Sequence, residues 1–327
     1  MGVTASAPAK VILLGEHFVV YGEPAIVLAI DKRVYATAEK RDDKILHLSS
    51  ANLALEATIE SGAFKIEKGN PRETKLRFEP VKTAVAKVLA KHGVDVGINL
   101  EINSDVPVGA GLGSSAAVIA STTAAVSALL NVNMSREDIF RITFEAEKIV
   151  HGTPSGVDPA IATFGGTLLF QMDTGFRPVD VKSEISLVVG NTGVERSTRV
   201  QVEKVRIVKE KYPQIVEPML RSAREIVLRA VEALEKGELE TLGELMNINH
   251  SLLRGVGVSD DSLEWLISTA IKAGAIGAKL TGAGGGGCMI ALSRKDKLAQ
   301  VTEAIQRAGG NPFVARKTDE GVRIEQS

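Results

Sequence analysis

Three charged residues in this chain sit where charge is costly, and three glycine-rich segments lie near them in sequence. Lys10 lies within Ala7-Pro-Ala-Lys-Val-Ile-Leu-Leu-Gly-Glu-His17, on a strand pattern where Lys10, Ile12 and Leu14 share one face. A lysine there wants an anion or an acceptor as partner. Alternatively, it marks the strand start and its ammonium reaches water. Glu147 lies, on a helical wheel, between the arc of Ile139, Thr143 and Val150 and the arc of Phe140 and Phe144. Arg141, Glu145 and Lys148 occupy the solvent face, so no basic residue shares its arc. Mg²⁺, a hard ion that takes oxygen ligands, suits such a carboxylate. A snorkelling residue at the edge of the apolar face is the other reading. Asp158 precedes Pro159. That pair reads as N-cap and first helical turn, and a loop carboxylate can also take a proton from an alcohol.

The glycine segments point to a bound anion. In Pro107-Val-Gly-Ala-Gly-Leu-Gly-Ser-Ser-Ala-Ala117, glycines at 109, 111 and 113 permit tight turns and close approach to a ligand. The helix that follows aims its free N–H groups and positive dipole end at that loop, which suits phosphate. A plain turn into a helix would have the same spacing. No Gly-Lys-Ser/Thr follows, so this is not a P-loop. Gly113 follows Gly111 by two residues rather than three, so it is not the dinucleotide fingerprint. Phosphate charge would therefore be met from elsewhere, by Mg²⁺ and Lys10. In Lys279-Leu-Thr-Gly-Ala-Gly-Gly-Gly-Gly-Cys288 the glycines are either a flexible linker or a loop that packs closely on a ligand or another loop. A helix and a strand of core character flank the run and favour close packing.

These residues need elements to hold them. Strands are expected over 10–14, 25–30, 34–38, 97–102, 167–171, 185–190 and 288–292, with a final strand at the end. Residues 39–80 read as short strands and an exposed loop. Helices are expected over about 80–92, 115–130, from Ser135, and over about 200–211, 216–236, 238–253, 260–273 and 295–308. Ser135-Arg-Glu-Asp138 resembles a capping box. Strands and helices intersperse without a clear βαβ repeat, which gives an α+β class in two domains, 1–182 and 183–327.

Composition narrows the function classes. Length alone suggests two domains, at roughly 150 residues each. Lys+Arg number 39 against 40 Asp+Glu, a net charge of -1, which disfavours a basic nucleic-acid binder. Hydrophobic residues at 44% can build a core, so an acidic disordered chain is excluded. Aromatics at 4% disfavour base-stacking platforms. A single cysteine, Cys288, excludes an internal disulfide and a multi-cysteine metal site, and fits a reducing compartment. The apolar stretch 116–130 is short and interrupted by Ser121, Thr122, Thr123 and Ser127, so no membrane span is expected. The first residues lack a signal-peptide pattern, and a cytoplasmic location is expected. The chain has no His-Glu-x-x-His and no Gly-x-Ser-x-Gly, and the histidines at 17, 47, 92, 151 and 250 are scattered, so zinc-peptidase and serine-hydrolase readings find no support.

In order and over nearly the whole chain, these segments resemble the GHMP kinase superfamily of galacto-, homoserine, mevalonate and phosphomevalonate kinases. The Pro107–Ala117 loop resembles its ATP-binding motif, and Lys279–Cys288 its third motif. Lys10-Val-Ile-Leu-Leu-Gly-Glu-His17, His151-Gly-Thr-Pro-Ser-Gly-Val-Asp158 and Asn191-Thr-Gly-Val-Glu-Arg-Ser-Thr198 are most similar to the mevalonate kinase branch. The resemblance implies a ribosomal-protein-S5-domain-2-like ATP-binding domain, a ferredoxin-like second domain and an active site in the cleft between them. It implies ATP and Mg²⁺, with mevalonate as the small-molecule acceptor, a homodimer, and neither nucleic acid nor membrane as partner. Its roles fall on Asp158 as proton acceptor and on Lys10 near the hydroxyl and the phosphates. Ser115 and Glu147 match the Mg²⁺ ligands. Pro107, Val108, Gly109, Ala110, Gly111, Leu112, Gly113, Ser114, Ser115, Ala116 and Ala117 form the nucleotide loop. Glu16, His17 and Arg196 match the substrate side. Val118 stands where longer members have a tyrosine, and no role is carried there.

Overall fold

The computed structural model describes residues 2–107, 111–151, 155–194 and 197–325, with backbone alone at 150 and 151. The first layer contains β1 (Val3–Leu14), β2 (Ala25–Arg41), β3 (Leu46–Ser50), β4 (Leu55–Glu60), β5 (Ala63–Lys68), α1 (Pro71–His92), β6 (Gly97–Ser104), α2 (Ser114–Leu129), α3 (Arg136–His151), α4 (Val157–Phe164), β7 (Thr167–Gln171) and β8 (Gly175–Pro178). The second contains β9 (Ser186–Asn191), α5 (Thr198–Lys211), α6 (Pro213–Lys236), α7 (Leu239–Gly255), α8 (Asp261–Lys272), β10 (Gly277–Thr281), β11 (Cys288–Leu292), α9 (Leu298–Arg307) and β12 (Asn311–Arg316), after which β13 (Arg323–Ile324) returns to the first.

Among the described residues the first sheet runs β13-β1-β2-β6-β3-β4-β5, with β7 on β2 and β8 on β7. Among the described strands only β3 and β6 pair in parallel. The second sheet is antiparallel with order β10-β11-β9-β12. One strand, a helical connection, a hairpin, a helix and a last strand in that order give the split-βαβ, ferredoxin-like arrangement. Four helices, α5 to α8, fill the first connection.

The long strand β1 joins both layers. Ala5 and Ala7 pack with α2 and the helix-side core, whereas Ala9, Val11 and Leu13 share a core with Leu187, Val189 and Ile290 of the second sheet. A register shift against β2 lies between Pro8 and Ala9. Lys10 alternates with Ala9 and Val11, and so turns toward α2 and α4.

Several expected boundaries move. The strands at 25–30 and 34–38 are one strand, β2, bent by that irregularity. α1 starts at Pro71, not Pro80, because Asn70 Oδ1 accepts the N–H groups of Arg72 and Glu73 and Pro71 takes the first helical position. Pro80 sits inside the helix, which does not break there. Ser135 Oγ accepts the Asp138 N–H, as the start of α3 requires. β8 and β10 were not expected from the sequence. The chain also returns at its end: β13 pairs with β1, so the last residues of the expected 183–327 unit lie on the first sheet. Among the described residues no helix is long and apolar enough to cross a membrane.

Candidate functional site

The glycine loop and the lysine strand meet through the backbone. The Lys10 N–H donates to the Leu112 carbonyl at 2.9 Å, which fastens the loop to β1. Gly111 and Gly113 have φ of 70° and 72°, a conformation that favours glycine. Gly113 is also the N-cap of α2, and no side chain caps that end. A Cβ at 113 would lie 2.6 Å from Lys10 Cγ, so the missing side chain is what lets Lys10 pass. The first helical bond of α2 uses the Ala117 N–H. Among the described residues, the amides just before it have no partner of that kind, and a helix start of this type suits an anion. Ala116 and Ala117 are buried, and their side chains belong to the core.

Lys10 does not reach free water. Its Nζ lies 3.1 Å from Asp158 Oδ1 and the lysine is 9% exposed. Asp158 is not the helix cap that Asp-Pro suggested. Gly156, with φ of 83°, takes the N-cap position, and Asp158 stands in the first turn of α4. At the second residue of α2, Ser115 Oγ donates to Glu147 Oε1 at 2.5 Å. Glu147 is 2% exposed, so it is no snorkelling edge residue. A hydroxyl and a carboxylate held together are hard oxygen donors, and the pair fits Mg²⁺ by ligand type. Beside them a cavity of about 760 Å³ opens between α1, β6 and α2. Asn70, Arg72, Ser104, Pro107, Ser114 and Ser115 are among its lining residues. Its volume suits a nucleotide-sized ligand. The first turns of α1, read as loop from the sequence, form one wall.

The first and third glycine-containing segments also meet. His17, held at φ 61°, places Nε2 2.8 Å from the Ala283 carbonyl. A carbonyl only accepts, so the proton lies on Nε2. Thr281 Oγ1 donates to the Ile12 carbonyl at 2.9 Å. The glycine run between β10 and β11 is no linker. A Cβ at Gly284 would lie 2.1 Å from Val258 O, one at Gly285 2.1 Å from Gln201 Nε2 and one at Gly286 2.8 Å from Val194 Cβ.

Glu16 departs from the expected substrate side. It is 1% exposed and bonds Lys279, itself fully buried on β10. Lys279 Nζ also donates to the Leu280 carbonyl at 2.7 Å. Burial pushes the Glu16 carboxyl up, against the pull of the Lys279 ammonium, and burial pushes Lys279 down. Sequence reasoning missed Lys279, which it treated as the start of the glycine run. The argument applied to Lys10, a lysine among apolar strand residues, would have found it. Val108, Gly109, Ala110 and Arg196 lie outside the described residues, as do residues 152–154 of the segment before Asp158.

Known proteins share this chain's sequence and fold. The GHMP kinases N terminal domain model matches residues 79–166, and the GHMP kinases C terminal model matches residues 230–311. The chain is 42% identical to a mevalonate kinase of Pyrococcus abyssi, over 99% of this chain and 98% of that one. It is 36% identical to a mevalonate kinase of Archaeoglobus fulgidus, over 98% and 99%. Among solved structures it is similar to L. major mevalonate kinase in complex with R-mevalonate, with a TM-score of 0.83, 30% identity, and coverage of 97% and 96%.

Proposed function

The chain belongs to the GHMP kinases, and on that premise we propose that it transfers the γ-phosphoryl of ATP to the 5-hydroxyl of (R)-mevalonate. Its full-length relatives are mevalonate kinases, and it is an ATP-dependent kinase acting on an alcohol. The observation that carries the residue assignments is the Lys10–Asp158 pair beside the uncapped start of α2.

Phosphoryl transfer asks mainly for alignment and neutralised charge. The backbone N–H groups at the start of α2 hold phosphate oxygens, and the cavity against α1 takes the nucleoside. Ser115 and Glu147 would hold Mg²⁺, which neutralises phosphate charge when bound. Asp158 orients the acceptor hydroxyl and takes its proton as the O–P bond forms. Lys10 holds the Asp158 carboxylate in place and faces the negative charge on the group in transfer. His17 and Arg196 are assigned to the acceptor side. Glu16 is not open to an acceptor in this conformation, and its part is to tie the two layers through Lys279. The same reading carries a homodimer in the cytoplasm.

A coupled assay of ADP release with mevalonate, phosphomevalonate, homoserine and galactose side by side tests the acceptor. Mevalonate should exceed each of the others in kcat/KM by on the order of 10²-fold or more. Equal or faster turnover of another alcohol would reassign the substrate. ATP binding with no ADP released on any of them would indicate a nucleotide-binding protein without this activity.

A further inference from the structure

The C-terminal segment forms a strap across the back of the site, and one buried guanidinium holds it. Where β1 and β2 lose register, Ile30 bridges Lys317 and Asp31 Oδ1 accepts the Arg316 N–H at 3.0 Å. The strap then crosses to α4. The Gly166 N–H donates to the Thr318 carbonyl at 3.0 Å, and the Val322 N–H donates to the Thr163 carbonyl at 3.1 Å. Contact is backbone to backbone, since a Cβ on Gly321 would lie 2.0 Å from Thr163 O and one on Gly165 would lie 2.5 Å from Gly321 N. Arg33 is 4% exposed. Its Nη2 donates to the Gly321 carbonyl at 2.6 Å and to the Ser6 carbonyl at 3.1 Å, while Nε donates to Ser6 Oγ at 2.6 Å. Nη1 reaches the Glu320 carbonyl at 3.3 Å.

Ser6 is on β1, four residues before Lys10, and Thr163 is on α4 with Asp158. α4 has eight residues, so at 1.5 Å per residue its two ends lie only about 10 Å apart. A shift at Thr163 therefore reaches Asp158 with little to absorb it.

We propose that Arg33 is a positioning residue, which sets the separation of Lys10 and Asp158 by clamping the Glu320–Gly321 strap between β1 and the end of α4. The inference rests on the assignment of Lys10 and Asp158 as the reacting pair. Arg33 is buried and is not among the residues lining the cavity, so its loss should lower kcat and leave ATP affinity alone.

The test compares Arg33→Lys, Arg33→Ala and Gly321→Ala in the full chain. Kd for ATP, circular dichroism and kcat are measured for each, with Asp158→Asn alongside. Arg33→Lys keeps the charge but not the fork of donors. It should keep the parent's fold and ATP affinity while kcat drops at least about tenfold, since a misplacement of 1 Å can cost about 10²-fold. Low-millimolar guanidinium should recover part of the kcat of Arg33→Ala, and equal sodium chloride should not. Parent-like kcat in folded Arg33→Lys, or a loss that only follows the unfolded fraction or the loss of ATP affinity, would overturn the role. So would absence of guanidinium rescue in folded Arg33→Ala. If Arg33→Ala does not fold, Gly321→Ala decides: it leaves the guanidinium intact but presses on Thr163, and unchanged kcat there overturns the proposal. Full activity in Asp158→Asn would instead remove the reacting-pair assignment beneath it.

Discussion

Lys10 Nζ lies 3.1 Å from Asp158 Oδ1, and the lysine's methylenes run past Gly113 at the mouth of α2. One side chain thus touches the base candidate at its tip and the phosphate loop along its stem. Strand β1, the loop and the short helix α4 are held to one another by that contact.

Gly113→Ala should break this arrangement at its middle. A Cβ there meets Lys10 Cγ at 2.6 Å and Cε at 2.9 Å, on a backbone with φ of 72°. Steady-state kinetics should show KM for ATP raised and kcat lowered together. Gly22→Ala is the control, since it shares a positive φ of 88° but has open space around its Cβ. It should lose about 1 kcal/mol of stability and keep its kinetic constants. Matching kinetics in the two variants would contradict the role given to the Lys10 passage.

Lys279→Met should destabilise the fold strongly. It leaves the Glu16 carboxylate buried with one oxygen already lacking a hydrogen-bond partner. Removing one member of such a pair costs about 3–5 kcal/mol. The double variant Glu16→Gln/Lys279→Met should recover a large part of that loss. Urea denaturation, with the m-value checked for constancy, reads both. A single variant as stable as the parent would show that the pair does not join the layers.

Acid should weaken the fold through its paired surface carboxylates. The hydrogen bond from Arg41, aided by the Ile45 N–H, pulls Asp43 down to about 2. Hydrogen bonds from Lys91 and Lys87 hold Asp138 and Glu145 below their ordinary values. Folded values below the unfolded ones mean a contribution that is complete above the ordinary carboxylate range. It is lost as pH falls through the depressed values. The part of Tm that these three carboxylates contribute should therefore be constant from pH 7 to about 5 and fall below about 4. Asp43→Asn should flatten the lowest part of that fall, and an unchanged profile would argue against the Asp43 contribution.

Glu147→Gln should shift the metal requirement. With one hard oxygen ligand weakened, half-maximal activity should need more Mg²⁺, by on the order of 10-fold or more. The Kd for ATP without metal should stay the same. Titration of activity with Mg²⁺ at saturating ATP reads the shift, and an unmoved midpoint would remove Glu147 from the ligand set.

Much of the site was legible because its residues break local rules. Lys10 and Glu147 put charge into apolar patterns, and the glycines at 111, 113 and 284–286 stand where a Cβ or an ordinary φ could not. Asp158 was legible as a candidate but misplaced as a cap, since Gly156 takes that position through a backbone conformation that the Asp-Pro signal does not report. Pro80 hid the first turns of α1, although Asn70-Pro71 carried the true start. The strap over α4 left no trace, because on its own side these bonds end on backbone groups that every residue has. Glu16 and Lys279 lie far apart in the chain, and only the packing of β10 against the end of β1 brings them together.

Single-turnover phosphoryl transfer by Asp158→Asn decides most directly whether this carboxylate serves the chemistry. With saturating ATP, Mg²⁺ and mevalonate, the variant should bind both substrates like the parent and form phosphomevalonate slower by about 10²–10⁴-fold. A single-turnover rate within a few-fold of the parent's, with binding intact, would contradict the assignment of Asp158 as the proton acceptor.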